Sequence, residues 1–439
     1  MQDHTELRVL RQRAGVSSGA FLGSKPQLAP GESPLPARSL YIHIPFCSHK
    51  CHYCDFYSIV DTRDRQETFT ARLIRELEAI APCAAGAPLR TIFVGGGTPS
   101  MLRLNLWERV LDALHNHFDL SAMNNRARSA ADGATVGEFT VECNPDTATP
   151  DLLALLASRG VTRVSMGAQS FHAAHLKTLE RWHDPEAVPR AIEAARAAGI
   201  ARQSLDLIYA IPGQTIEDLD RDLDAALALK TEHVSAYTLT YEPGTAMTAR
   251  LARGEFTRAD EDLEADMFEH AARRLAAAGL GRYEVSNFAR PGAECRHNMA
   301  YWRQNQWLAA GPSASGHFAG HRWKNVPRLD EYLESDDAGF APVIDHEPPD
   351  ARRALGEALM TGVRLAEGVD IERLMSLADR IDPAIRPRAE RVIARYVDSG
   401  HLVRVSDTTG ADRTAPTHRG FLLVDRIARE LLAAIESRA

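Results

Sequence analysis

The sequence predicts an α/β protein built as a partial (β/α) barrel of the TIM-like kind, with a smaller winged-helix-like domain at its C-terminal end. Two observations carry this. From Ser39 onward, six short apolar runs alternate with stretches whose apolar residues recur at helical spacing, the pattern of parallel βαβ units. After about residue 345 the pattern changes to helices, a short β-wing and a final amphipathic helix. An open doubly wound sheet is the alternative arrangement of the same alternation.

Residues 1–37, rich in Gly, Pro, Ser, Arg and Gln, read as a flexible leader. A mitochondrial presequence is the rival reading: Arg8, Arg11 and Arg13 favour it, and Asp3 and Glu6 oppose it, because presequences avoid acidic residues. The barrel is expected over 38–290, with strands at 40–44, 91–94, 139–141, 163–166, 204–208 and 234–239. Helices are expected at 65–80, 104–118, 150–158, 185–198 and 216–229. The polar, small-residue segment 121–136 reads as a surface insertion. A connecting region spans 291–345. The C-terminal domain, 346–439, is expected to hold helices at 351–361 and 386–399, a strand at 401–405, a hairpin tip at 406–413 and a helix at 420–437.

Composition narrows the function classes. The chain has 439 residues, long enough for a large domain and a smaller one. It is 44% apolar and 25% charged, with a mean hydropathy of −0.27. A net charge of −8 argues against nucleic-acid capture, which depends on Lys and Arg neutralising phosphates. No run approaches the roughly 18–20 apolar residues of a spanning helix. There is no short apolar segment followed by a small-residue cleavage site, so a cytoplasmic location is expected. Six cysteines are too few for a disulfide framework, and three of them fall in one short segment.

That segment is Tyr41-Ile42-His43-Ile44-Pro45-Phe46-Cys47-Ser48-His49-Lys50-Cys51-His52-Tyr53-Cys54, directly after the first strand. Three thiolates at this spacing can hold three irons of a [4Fe–4S] cube and leave the fourth without a protein ligand. The open iron can be chelated by the amino and carboxylate groups of S-adenosylmethionine. Zinc is the alternative. It usually takes four ligands, and His43, His49, His52 or Cys295 could supply the fourth. Cys83, Cys143 and Cys295 otherwise read as ordinary thiols.

Further polar residues recur where later strands end. The second strand runs into Gly95-Gly96-Gly97-Thr98-Pro99, the third into Glu142, the fourth into Gln169, and the fifth carries Asp206. In a β/α barrel the ligand groups collect at the C-terminal ends of strands, so Cys54, Gly96, Glu142, Gln169 and Asp206 are expected to face one mouth. Met singly, each would read as a cap or turn residue.

With these pieces, Tyr41 to about Leu239 resembles the radical S-adenosylmethionine superfamily, and within it the branch of oxygen-independent coproporphyrinogen III dehydrogenases. The resemblance implies that Cys47, Cys51 and Cys54 hold the cluster. It also implies that Tyr41, Tyr53, Gly96, Gly97, Thr98, Glu142, Gln169, Arg181 and Asp206 contact S-adenosylmethionine. Arg181 has a plain alternative as a solvated helix residue.

Two departures separate branches of that family. Phe56 stands where the dehydrogenases carry a fourth cysteine, and Arg296-His297-Asn298-Met299-Ala300-Tyr301-Trp302 forms an H-N-x-x-Y-W element. That element and the stretch 416–425 resemble the haem-chaperone branch. In this reading His297 offers an axial nitrogen to haem iron, Tyr301 and Trp302 offer flat faces, and Arg296 can pair with a propionate. The plain alternative for His297 is a hydrogen-bonded packing residue. The implied partners are haem and recipient haem proteins, including membrane-associated respiratory enzymes, with a homodimer as the family-level expectation. A coproporphyrinogen-decarboxylating oxidoreductase is the second reading, and a radical methyltransferase-like enzyme the third. Whether the chain is an enzyme is left open by the sequence.

Overall fold

The structure, a computed structural model, describes residues 35–123, 137–334, 339–406 and 412–436. Six strands pair in chain order and all parallel: β1 (Ser39–Ile44), β2 (Thr91–Gly96), β3 (Glu138–Cys143), β4 (Arg163–Gln169), β5 (Arg202–Tyr209) and β6 (His233–Thr238). Their connections carry α1 (Gln66–Ile80), α2 (Leu104–His117), α3 (Pro150–Ser158), α4 (Ala173–Thr178), α5 (Ala187–Ala197) and α6 (Ile216–Ala228). Right-handed crossovers in unbroken strand order place all these helices on one face. A doubly wound sheet would reverse its order partway, and this one does not.

The strands form where they do because their two faces differ. On the helix side, Ile42, Val94, Val141, Val164, Met166 and Leu205 are fully buried, each contributing about 1.5–3 kcal/mol. The register sets Tyr41 beside Phe93, Glu142 beside Ser165, and Asp206 beside Ser235 on the opposite, inward face. The inner face is therefore rich in polar and aromatic groups, and its chemistry was encoded by alternation. Helix starts are locally specified: Thr149 accepts from Leu152 N ahead of α3, and Thr215 with Asp218 forms a capping box on α6.

Beyond β6 the chain departs from the simple alternation. Helices α7 (Ala246–Ala252) and α8 (Glu261–Ala277) lead to β7 (Gly281–Arg282) and β8 (Asn287–Ala289), which run antiparallel at the β6 edge. After α9 (Arg296–Trp302), β9 (Leu308–Ala310) returns to the other edge, parallel to β1. A small antiparallel sheet follows, β10 (Ser315–Phe318), β11 (His321–Asn325) and β12 (Val343–Glu347), with α10 (Leu329–Leu333) between the last two. None of these elements was assigned from sequence.

The C-terminal part comprises α11 (Ala351–Gly362), α12 (Ile371–Ile381), α13 (Ile385–Asp398), the hairpin β13 (Leu402–Ser406) and β14 (Asp412–Pro416), and α14 (Val424–Glu436). Leu359, Met375, Ile385, Ile427 and Leu431 fill a second hydrophobic core, distinct from the one around the barrel. α12 was not expected. Of the sequence expectations, the leader up to residue 34, insertion residues 124–136 and hairpin residues 407–411 lie outside the described residues. Ala37 is already packed in the barrel core and donates its N–H to the Cys83 carbonyl.

Candidate functional site

The cysteine loop leaves the C-terminal end of β1 and is tied to neighbouring elements by backbone hydrogen bonds. Cys47 N donates to Ile59 O at 2.8 Å, Thr98 N to Phe46 O at 2.7 Å, and Gly97 N to Ile44 O at 2.8 Å. Thr98 Oγ1 lies 3.4 Å from Cys47 Sγ, and Arg181 Nη1 lies 3.7 Å from Cys51 Sγ. Burial pushes the Cys54 thiol up to about 11, with smaller upward contributions from Cys51 and Cys47. The three thiols thus share one low-dielectric patch with a guanidinium and a hydroxyl beside them.

This donor set fits a cluster better than one ion. Among the described residues no three His, Cys, Asp or Glu side chains converge on one ion-sized point, whereas a cube spreads its ligands over separate irons. The groups considered as a fourth zinc ligand are engaged elsewhere. His43 Nε2 lies 2.8 Å from Tyr57 O and His52 Nδ1 lies 3.1 Å from Arg250 Nη1, while His49 stacks on Trp182 with its Nε2 3.9 Å from Glu180 Oε2. Cys295 donates to Glu138 and is buried among the residues around α9.

The strand-end residues meet beside this loop. Gly96 N donates to Glu142 Oε2 at 3.2 Å, and Ser165 Oγ donates to Asp206 Oδ1 at 3.1 Å. The glycine run leaves no room for side chains. A Cβ on Gly95 would stand 2.8 Å from Glu142 Oε2, and one on Gly96 would stand 2.6 Å from the His43 ring. Gly96 also has φ +114, which favours glycine. Burial and then the neighbouring Asp206 push the Glu142 carboxyl up to about 8. Arg181 donates to Gly167 O at 3.1 Å and contacts His183 and Cys51, so it is a bridging residue between the cluster loop and β4, and not a solvated helix residue. Tyr53 packs against the apolar group of Leu179, Ile208 and Met247. Gln169 sits at φ +63 at the end of β4, with its Nε2 close above Gly167. Ser165 was missed from sequence and His43 was considered only as a zinc ligand, though both share the inward parity of Tyr41 and Glu142.

The H-N-x-x-Y-W element lies elsewhere. α9 packs against the N-terminal ends of the strands. Glu138 accepts from Arg296 N and His297 N, both at 3.1 Å, and pairs with Arg163 at 3.6 Å. His297 is fully buried: Nδ1 lies 2.9 Å from Thr91 Oγ1 and Nε2 lies 2.7 Å from Tyr301 OH. Its ring stacks on Phe93 at 5.4 Å, and Tyr41 lies 6.5 Å away. In this conformation both ring nitrogens are committed to hydrogen bonds, the arrangement of a packing residue. This is the plain alternative given above for His297, and in this conformation neither ring nitrogen is free.

Tyr301 and Trp302 line a cleft of about 590 Å³, within the range of small-molecule and cofactor sites. Trp307, Arg322 and, from α11, Met360 join them, with Tyr237 and Asn287 from the barrel. Arg322 lies over the Trp307 ring at 5.5 Å and pairs with Glu357 at 2.8 Å. The cleft adjoins the barrel interior at Tyr237, which shares the inward side of β6 with Ser235. Trp307, Arg322 and Met360 carried no sequence signal, because their meeting depends on three separately folded pieces.

A barrel of sequential parallel strands with a three-cysteine loop at its C-terminal mouth defines a class, and the comparisons agree. The Radical SAM superfamily model matches residues 41–226. The heme chaperone HemW of Mycobacterium tuberculosis H37Rv is 37% identical over 92% of this chain and 97% of its own length. Those of Escherichia coli K12 and Bacillus subtilis are 37% and 33% identical, over 91% and 89% of this chain. The chain belongs to the radical SAM superfamily and, within it, to the HemW family. Among solved structures, coproporphyrinogen III oxidase (HemN) from Escherichia coli superposes with a TM-score of 0.77 at 21% identity, covering 95% of this chain and 94% of that one. That likeness concerns the fold.

Proposed function

We propose that this chain is a haem chaperone: it holds a [4Fe–4S] cluster with S-adenosylmethionine at the barrel mouth and carries haem in the cleft beside α9. The cleft is the observation that carries the proposal. It is the right size, it is walled by Tyr301, Trp302, Trp307 and Met360, and it adjoins the cofactor end of the barrel through Tyr237. The names of the HemW relatives point the same way.

At the mouth, Cys47, Cys51 and Cys54 would ligate three irons, and Arg181 and Thr98 would stabilise their thiolates. When bound, cluster and S-adenosylmethionine supply one-electron chemistry. Glu142 and Asp206 would accept from the ammonium and ribose hydroxyls of S-adenosylmethionine. Gly95 to Gly97 let the backbone approach it, Thr98 and Gln169 add polar contacts, and Tyr41 and Tyr53 wall the pocket. In the cleft, aromatic faces would cover the porphyrin, and the guanidinium of Arg322 suits a propionate, while Arg296 lies outside the cleft lining. Delivery to recipient haem proteins, including membrane-associated respiratory enzymes, a cytoplasmic location and a homodimer belong to the same reading. So does a boundary near residue 345, with the C-terminal unit closing the cleft through α11. No described helix is long and apolar enough to cross a membrane.

The second reading, oxidative decarboxylation of coproporphyrinogen III, is favoured by one feature: a tetrapyrrole in the cleft would sit beside the cofactor end. An anaerobic assay with reconstituted cluster separates the two. Haem uptake followed by transfer to an apo-haem protein supports the chaperone. Conversion of coproporphyrinogen to protoporphyrinogen would decide for the enzyme.

A further inference from the structure

We infer that Tyr301, through its phenol oxygen, is the iron ligand of the haem cargo, and that His297 serves Tyr301 as its hydrogen-bond partner. The inference rests on the reading of the cleft as the haem site. Tyr301 lines that cleft and His297 does not. For His297 to reach an iron it would have to break its bonds to Thr91 and Tyr301 and leave its stack on Phe93. Tyr301 already forms part of the cleft wall. It stands four residues after His297, on the same face of α9, and phenolate oxygen is an established type of haem ligand.

The hydrogen bonds form a consistent set. One tautomer satisfies both contacts with Tyr301 as donor: with its proton on Nδ1 the imidazole donates to Thr91 Oγ1, and Nε2 accepts from the Tyr301 hydroxyl. When ferric haem enters, an Fe–O bond to Tyr301 replaces the phenol O–H bond. The displaced water ligand of the haem leaves, and the phenolic proton leaves with it to solvent. No electron moves. His297 is a positioning residue here: its hydrogen bond orients the phenol and tunes its basicity, as outer partners of metal ligands do. An anionic oxygen ligand favours ferric over ferrous iron, so one-electron reduction of bound haem should loosen it.

Ferric haem titrated anaerobically into the full-length chain tests this by absorption and resonance Raman spectra. Wild type should show a phenolate-to-iron charge-transfer band and bind ferric haem more tightly than ferrous. Tyr301→Phe keeps the ring and its packing; it should lose the band and weaken ferric binding by at least about tenfold. His297→Ala should keep the band but shift it, with His297→Gln moving it back. An unchanged spectrum in Tyr301→Phe, or loss of ligation confined to His297→Ala or Met360→Leu, overturns the assignment while leaving haem carriage intact. Absence of haem binding by wild type overturns both.

Discussion

Gly96 and Glu142 show how tightly single positions are constrained at the cofactor end. Gly96 combines a positive φ with a neighbour, His43, that leaves no space for a methyl group. Gly96→Ala is expected to cost about 1–3 kcal/mol in denaturant titration, with S-adenosylmethionine binding lost alongside. Glu142 has a folded pKa of about 8 against an ordinary 4.5, so its protonated form favours the folded chain. That contribution is whole below about pH 4.5 and disappears as pH rises through 8. The stability difference between wild type and Glu142→Gln should therefore fall across this window. Affinity for the cationic cofactor should rise over the same window, because the ionised carboxylate accepts best. A difference that stays flat with pH would show that Glu142 does not titrate there.

At the scale of elements, α9 is held by one carboxylate. Glu138 accepts from the side chain of Cys295 and the backbone of Arg296 and His297, and it neutralises the buried Arg163. Glu138→Gln keeps the shape but strands the guanidinium, and a loss of about 3 kcal/mol or more is expected in equilibrium unfolding. Elements like this mark the limit of what the sequence makes legible. The strands from β1 to β6 could be read because each has an apolar helix-facing side bounded by turns, and the strand-end residues followed from their position. β9 is only three residues long and pairs with β1 across most of the chain, so nothing local announces it. The surroundings of His297 are hidden from the sequence for the same reason. Its partner Thr91 lies 206 residues away, and only the folded barrel reveals that the imidazole is already satisfied.

For the whole molecule, two cores and a small sheet meet around one cleft, and its lining includes none of the three clustered cysteines. The two sites should therefore be separable by mutation. Trp302→Ala removes a face of the cleft without touching the mouth. It is expected to weaken haem binding about tenfold, the equivalent of roughly 1.4 kcal/mol, with iron content unchanged. Cys51→Ala should do the reverse, abolishing the cluster while haem binding persists. The most direct test of the account is a pair of spectra from one anaerobically purified sample. The account predicts a cluster signal perturbed by S-adenosylmethionine and, on addition of haem, a Soret band at one haem per chain. A cluster that responds to S-adenosylmethionine in a protein that takes up no haem would contradict it.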